Sequence, residues 1–273
     1  MTEKHGDGLL LGKSTPVVDE YSPALLYPIP RDSAREALFG GKPLPFYGVD
    51  IWHAYELSWL DRAGVPQVRV GRFTIPATSP NLVESKSFKL YLNSLNLTRF
   101  ESEASVRDTI VSDISAAAGA SVELCLFRLE DRRLAGAEVP GQCIDEHSVT
   151  VTGQAPSASL LRCGDRQARQ RLYSNLLRSL CPVTGQPDWA TVWIDYRGPE
   201  LDLAALLQYL IAFRKHQEFH EQCVERMFAD ISSACAPEHL TLQAFYTRRG
   251  GLDINPMRST DAAARPLPRL NRQ

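Results

Sequence analysis

The chain has 273 residues, 44% hydrophobic and 23% charged, an ordinary globular composition with room for two modest domains at roughly 100–200 residues each. Thirty Lys and Arg against 32 Asp and Glu give a formal charge of −2, so no basic excess exists to neutralise a nucleic-acid backbone, and a small ligand or a protein partner is favoured. No stretch reaches the ~18–20 uninterrupted apolar residues of a membrane helix, and the opening MTEKHGDGLLLGKSTP lacks the basic and apolar regions of a secretory signal, so the expectation is a cytoplasmic protein without a membrane partner.

Residues 1–45 hold six of the 18 prolines and no strong period, and they read as an arm over the body. IWHAYELSWL and QVRVGRFTI, separated by the AGVP turn, predict a β-hairpin. NLVESKSFKLYLNSLN places Leu82, Phe88, Tyr91, Leu92 and Leu95 on one helical face, and a second helix is expected at about 104–119. The strand VELCLFRL and a looser β segment, CIDEHSVTVT, close this half. The order then recurs: LYSNLLRSL and PDWATVWIDY as strands about a turn, DLAALLQYLIAFRKH and EFHEQCVERMFADISSAC as helices, and LTLQAFYTRRGG as a strand entering a glycine turn. GVPQ (64–67) aligns on GQPD (185–188), and VELCLF on LQAFYT, at nearly the same offset. The reading is two ββααβ modules in tandem, an α+β fold of antiparallel sheets with helices packed on one face, divided as 1–45, 46–155 and 156–273.

Several motifs fail their own requirements. GLLLGKS is no P-loop, because Asp7 stands where the first glycine belongs and no buried strand precedes it. Neither G-x-G-x-x-G nor G-x-S-x-G occurs. His216 and His220 lie at helical spacing with Cys223 one turn on, but the glutamates at 218 and 221 do not make H-E-x-x-H. A polar junction between helices explains the run without a metal.

Six cysteines without a C-x-x-C pair suggest free thiols rather than a disulfide framework. Cys223 and Cys235 fall on an apolar helical stripe as small core residues, Cys125 sits inside a strand and is expected buried, and Cys143 and Cys163 have no catalytic neighbour. Cys181 differs: it ends an apolar run before a Pro- and Gly-containing turn, where a thiol can be partly exposed, with Asp188 across that turn. The pair fits a nucleophile and a proton donor, and equally a strand-end cysteine beside a turn-capping aspartate. Glu84-Ser85-Lys86-Ser87 opens a helix and suits either an anion or simple capping. Arg248-Arg249-Gly250-Gly251 suits a phosphate, such as the 2′-phosphate of NADPH, or a solvated loop.

Four segments in order, VESKSFKLYLNS (83–94), LCPVTGQPDW (180–189), FHEQCVER (219–226) and YTRRGGLDINP (246–256), resemble the signatures of the NADPH-dependent 7-cyano-7-deazaguanine reductases, nitrile reductases of the queuosine pathway, in their long, two-module bacterial form. The resemblance extends to the LGKST arm and the ELSWL segment, while the tail after Met257 looks unrelated. It implies tandem tunnelling-fold modules and a four-electron reduction of a nitrile to a primary amine with two NADPH. It makes Cys181 the nucleophile forming a thioimide and Asp188 the proton donor. Val83, Glu84, Ser85, His220 and Glu221 become substrate contacts, and Ser85, Lys86, Arg249 and Gly250 cofactor contacts. It implies a homodimer and no metal. A zinc-dependent hydrolase like GTP cyclohydrolase I and a non-catalytic purine-binding scaffold are the alternatives.

Overall fold

A computed structural model describes residues 20–151 and 153–273; the GLLLGKS segment lies outside them. In chain order the elements are β1 (Pro28–Pro30), α1 (Asp32–Phe39), β2 (Tyr47–Leu60), β3 (Pro66–Pro76), β4 (Asn81–Val83), α2 (Ser85–Ser94), α3 (Glu103–Ala118), β5 (Glu123–Phe127), β6 (Gln142–Cys143), β7 (Cys163–Leu180), β8 (Pro187–Leu201), α4 (Leu203–Ala212), α5 (His220–Cys235), β9 (His239–Tyr246) and β10 (Leu252–Ser259). The chain divides into two compact units. One comprises residues up to Ser33, Trp52–Leu134 and Arg249–Leu252; the other comprises Ala34–Ile51, Ala135–Arg248 and Asp253–Gln273.

In the first unit the strands run β5-β3-β2, and β3 pairs antiparallel with β5 through Val70↔Phe127 to Thr74↔Glu123. A second, short sheet joins β1 to β4 with Ile29 opposite Leu82. Helix α2 buries Phe88, Tyr91 and Leu92, and the Phe88 ring meets those of Trp52 and Phe73 at 5.1 and 5.0 Å. Helix α3 starts on a capping box between Ser102 and Ser105 and stops at Gly119, whose φ of 69° needs a residue without a Cβ. Its buried Val106, Ile110 and Ile114 recur every fourth residue, so one stripe faces the core.

In the second unit the order is β10-β9-β8-β7-β6, antiparallel except for β6, which runs parallel to β7. β7 and β8 form a long hairpin whose bulge lies between Ser174 and Leu177; there Asp145 accepts from the Ser174 hydroxyl and the Asn175 backbone and side chain. Asp202 caps α4 through the Ala205 N–H, and α5 packs across β7, β8 and β9. Each unit thus carries the order ββααβ, an α+β arrangement of antiparallel sheets with helices packed against them.

Three expectations are corrected, and one strand was not anticipated. CIDEHSVTVT contributes only Cys143 and its predecessor Gln142 to a ladder. The chain beyond the Arg-Arg-Gly-Gly turn forms a fully buried strand, β10, although Pro256 sits inside it. Proline cannot donate to a ladder. The pairing with β9 is made at Met257–Ser259, and the Asn255 side-chain oxygen takes the Tyr246 N–H at 3.2 Å. Cys125 is exposed on β5 rather than buried. Finally, Cys163 and Cys235, both expected free, are joined in a disulfide between the first residue of β7 and the last of α5. Spacing gives no hint of that pair, because 72 residues separate the two cysteines.

Candidate active site

In the second unit, β7 ends at Leu180 and the chain reverses through residues 181–186. Cys181 donates its N–H to Gln186 O and accepts from the Gly185 N–H, both at 2.9 Å, and Gly185 adopts φ 68°. The turn therefore holds Cys181 by its backbone on both sides. Its thiol is enclosed, at 4% residue exposure, where a partly open strand end was expected. Ser179 stands opposite Asp188 in the hairpin register. Opposed residues face the same side, and alternation carries Cys181 to that side with Ser179. The hairpin thus returns Asp188 beside the strand end that bears Cys181, and Asp188 and Ser179 are both buried.

A second element reaches the same place. Leu180 donates its N–H to His216 O at 2.8 Å, tying the hairpin to the segment that leads into α5. The Gln222 side chain accepts the Phe219 N–H, and α5 opens with His220 and Glu221 in its first turn, where the helix dipole favours a carboxylate. His220 Nε2 lies 3.3 Å from Asp188 Oδ2. Its ring stacks on Tyr246 of β9 with centroids 3.7 Å apart and planes 6° from parallel. The other ring nitrogen, Nδ1, is buried with no hydrogen-bond partner among the described residues, an unfilled polar site beside Asp188. Glu221 is buried at 4% exposure.

Electrostatics tell against Cys223, the other cysteine of this region, as a thiolate. Burial pushes the Cys223 thiol up, and the nearby Glu218 charge adds to it, so Cys223 stays a neutral thiol. Burial likewise raises the Tyr246 hydroxyl, which lies among Ser179, Asp188 and Cys223. His216 does not share a face with His220 as a ligand pair: its Nε2 lies 2.8 Å from Glu218, which Arg226 also binds. Burial alone would raise the Glu218 carboxyl, but hydrogen bonds from His216 and Arg226 outweigh it and hold the group low.

In the first unit, Val83 ends β4 and Glu84 caps α2. The Glu84 carboxylate, wholly buried, accepts the backbone N–H groups of Lys86 at 2.9 Å and Ser87 at 2.6 Å. The first-turn donors that the sequence offered to an anion are thus bound by the chain's own carboxylate. Its pKa is raised by burial, which those two hydrogen bonds only partly oppose. Arg249 and Leu252 close a tight turn through bonds of 2.9 and 3.2 Å, with Gly250 and Gly251 at φ 59° and 81°. A Cβ on Gly250 would come within 3.0 Å of Lys89 Nζ. The bare glycine therefore lets the turn lie close against the Lys89 side chain.

The structure thus groups Cys181, Asp188, His220 and Glu221 on the hairpin end and helix start of the second unit. In the first unit it groups Val83, Glu84, Ser85 and Lys86 at one helix start, with Arg249 and Gly250 in the turn faced by Lys89. Sequence reading missed Tyr246, which falls on an unremarkable strand end. It also missed Lys89, whose signal was its spacing of three from Lys86, one helical face.

A family model described as nitrile reductase, 7-cyano-7-deazaguanine-reductase N-term, matches residues 17–126, and a second, described as QueF-like protein, matches 187–265. The NADPH-dependent 7-cyano-7-deazaguanine reductase of Chromohalobacter salexigens is 50% identical over 265 residues, covering 96% of each chain. The enzyme of the same name from Desulfotalea psychrophila is 50% identical over 276 residues, covering all of both. The chain belongs to the 7-cyano-7-deazaguanine reductase family. Cys181 lies between the two family-model matches, inside the stretch that the relatives cover. A solved structure of the archaeosine synthase QueF-Like in the apo form aligns with 36% of this chain and 96% of its own, at 16% identity and a TM-score of 0.31. Among the described residues no helix is long and apolar enough to cross a membrane.

Proposed function

We propose that this chain is a cytoplasmic, NADPH-dependent nitrile oxidoreductase that converts 7-cyano-7-deazaguanine to 7-aminomethyl-7-deazaguanine for queuosine synthesis. The observation that carries the reading is the hairpin end bearing Cys181 and Asp188, with His220 paired to Asp188 and one ring nitrogen unfilled. Full-length identity to reductases of that name supports it.

Cys181 adds as the thiolate to the nitrile carbon, forming a C–S bond while one C–N π bond becomes a lone pair on nitrogen. Asp188 gives a proton to that nitrogen, and the product is a thioimide. Bound NADPH, held by Arg249, Gly250, Lys86 and Ser85, would supply the two hydrides; the Cys181 thiolate would leave between them, and the nitrogen would take up one further proton to complete the amine. The turn around Cys181 fixes its backbone by two hydrogen bonds, so less ordering remains to be done on attack. His220 orients Asp188 and, through Nδ1, offers the substrate a second polar contact.

A buried carboxylate such as Glu221 accepts paired N–H donors from the base edge and discriminates against purines lacking them. Val83, Glu84 and Ser85 are assigned to base recognition as well; a carboxylate has lone pairs beyond the two that cap α2. The glycine turn fits the cofactor: Gly250 lets the turn lie close to the Lys89 ammonium, and Arg249, Lys86 and Ser85 supply charge and a hydroxyl for its phosphates. The near-balanced charge supports a free base as substrate rather than a nucleic acid, and the family reading supports a homodimer acting away from membranes.

The test is intact mass after mixing 7-cyano-7-deazaguanine with the wild type and Cys181→Ala, without NADPH. A gain of one substrate mass in the wild type alone, cleared by NADPH, is expected. Bound ligand with no adduct in either protein would remove Cys181 from the chemistry and return the scaffold and metal-hydrolase readings.

A further inference from the structure

The face of the β7–β8 hairpin opposite Ser179 and Asp188 has a different character. Arg178 is paired with Trp189 across the hairpin, one residue along from Ser179 and Asp188, so alternation turns these two the other way. Both the Arg178 and the Arg214 guanidinium lie over the Trp189 ring, at 5.6 and 5.5 Å from its centroid, and Arg178 Nη1 donates to Arg214 O at 2.8 Å. Arg178, Arg214 and Lys215 then line one cavity of about 200 Å³ with Gln208, Thr150 and Gln154, over an apolar seat that includes Ile211.

Three cations converge there, and among the described residues no carboxylate lines the space. Elsewhere in this unit arginines are routinely paired: Arg35 and Arg258 with Glu225, Arg226 with Glu218, Arg171 with Asp195. Among the described residues none of Arg178, Arg214 and Lys215 has an acidic partner. Gathering three like charges without a counter-ion costs free energy that a bound anion would return. Planar guanidinium forks match the oxygens of a phosphate, while the glutamine amides and the threonine hydroxyl add neutral donors. At ~30 Å³ per water the space equals several waters, room for a group the size of a diphosphate.

We propose that this cavity is a binding site for a small phosphate-bearing ligand, formed by Arg178, Arg214 and Lys215 and built from residues other than those assigned to substrate and cofactor. Because its wall is the back of the hairpin that ends in Cys181, occupancy would also restrain that hairpin.

Inorganic diphosphate is the probe, titrated into the full-length protein by calorimetry and by tryptophan emission. Trp189 is the exposed tryptophan, at 37%, while Trp52, Trp59 and Trp193 are buried. Saturable binding is expected, with a dissociation constant between about 10 µM and 1 mM. Arg214→Gln should weaken it about tenfold or more. Lys215→Gln, at an exposed position where folding is not at risk, should weaken it severalfold. Arg249→Gln should leave it unchanged, because that arginine belongs to the cofactor turn. No saturable heat up to about 10 mM, or binding that survives Arg214→Gln and Lys215→Gln together, would overturn the proposal. So would binding abolished by Arg249→Gln alone, which would place the diphosphate in the cofactor turn.

Discussion

The Cys163–Cys235 disulfide encloses the segment that carries Cys181, Asp188, His220 and Glu221, so its removal tests what holds that segment. The two Cα atoms are 6.0 Å apart, within the normal span of a disulfide. At a sequence separation of 72, the chain-entropy relation gives about 15 cal/mol/K, or about 4 kcal/mol at 25 °C, taken from the unfolded state. For a protein of this size that corresponds to a melting-temperature change of roughly 10 °C. The perturbations are reduction by a thiol and the double variant Cys163→Ala with Cys235→Ala. The assay is urea unfolding of oxidised, reduced and double-variant protein, with peptide mapping of alkylated thiols under non-reducing conditions.

Reduction should lower the unfolding free energy by most of that amount, while adduct formation at Cys181 in the folded protein persists. The hairpin turn is closed by its own bonds, Cys181 N–H to Gln186 O and Gly185 N–H to Cys181 O, and not by the disulfide. Equal urea midpoints for oxidised and reduced protein would refute the reasoning, as would a map in which both thiols are free before reduction. The comparison separates the share of stability that comes from the cross-link from the share that comes from packing.

Three other outcomes follow from buried charge and from the site. Arg258 is fully buried and binds Asp50 at 2.7 Å and Glu225 at 2.8 Å, so Arg258→Met takes a buried counter-charge from two carboxylates and should cost about 3–5 kcal/mol by chemical denaturation. Glu218 is held below its ordinary pKa, so its contribution to stability is present above the unfolded value of about 4.3 and is lost as pH falls through the lower folded value. Glu218→Gln should therefore narrow its deficit against the wild type as pH drops below about 4, read from melting curves. Asp188→Asn should slow adduct formation and turnover by roughly 10²–10⁴ while ligand binding stays near normal; an unchanged adduct rate would remove Asp188 as the donor.

The regular elements were legible because their signals are local. The alternating hairpin, the fourfold recurrence of Val106, Ile110 and Ile114, and Asp202 ahead of an apolar helix each state their own structure. What escaped depends on partners distant in sequence. Strand β10 hides behind Pro256, and it is recovered only because Asn255 and the chain after the proline find β9. The Cys163–Cys235 pair needs the whole β7-to-α5 path to return on itself. Residue chemistry alone left Cys181 and Asp188 balanced between catalysis and capping. The His220 contact with Asp188 moves that balance, because a simple turn cap does not require a buried, half-satisfied imidazole stacked on a tyrosine.

The cysteines make the same point by contrast. Cys223 lies one turn from His220 on the helix that opens the site, and by sequence it is as near to catalytic groups as Cys181. It is nevertheless disarmed: burial and the Glu218 charge both oppose a thiolate there. A nucleophile needs its anion tolerated and its sulfur held in line, not mere proximity. The hairpin turn fixes the Cys181 backbone through two hydrogen bonds, and Asp188 meets His220 on the same hairpin end. Freeing Cys223 as a nucleophile would require opening its enclosure, the larger effect, as well as removing the Glu218 charge.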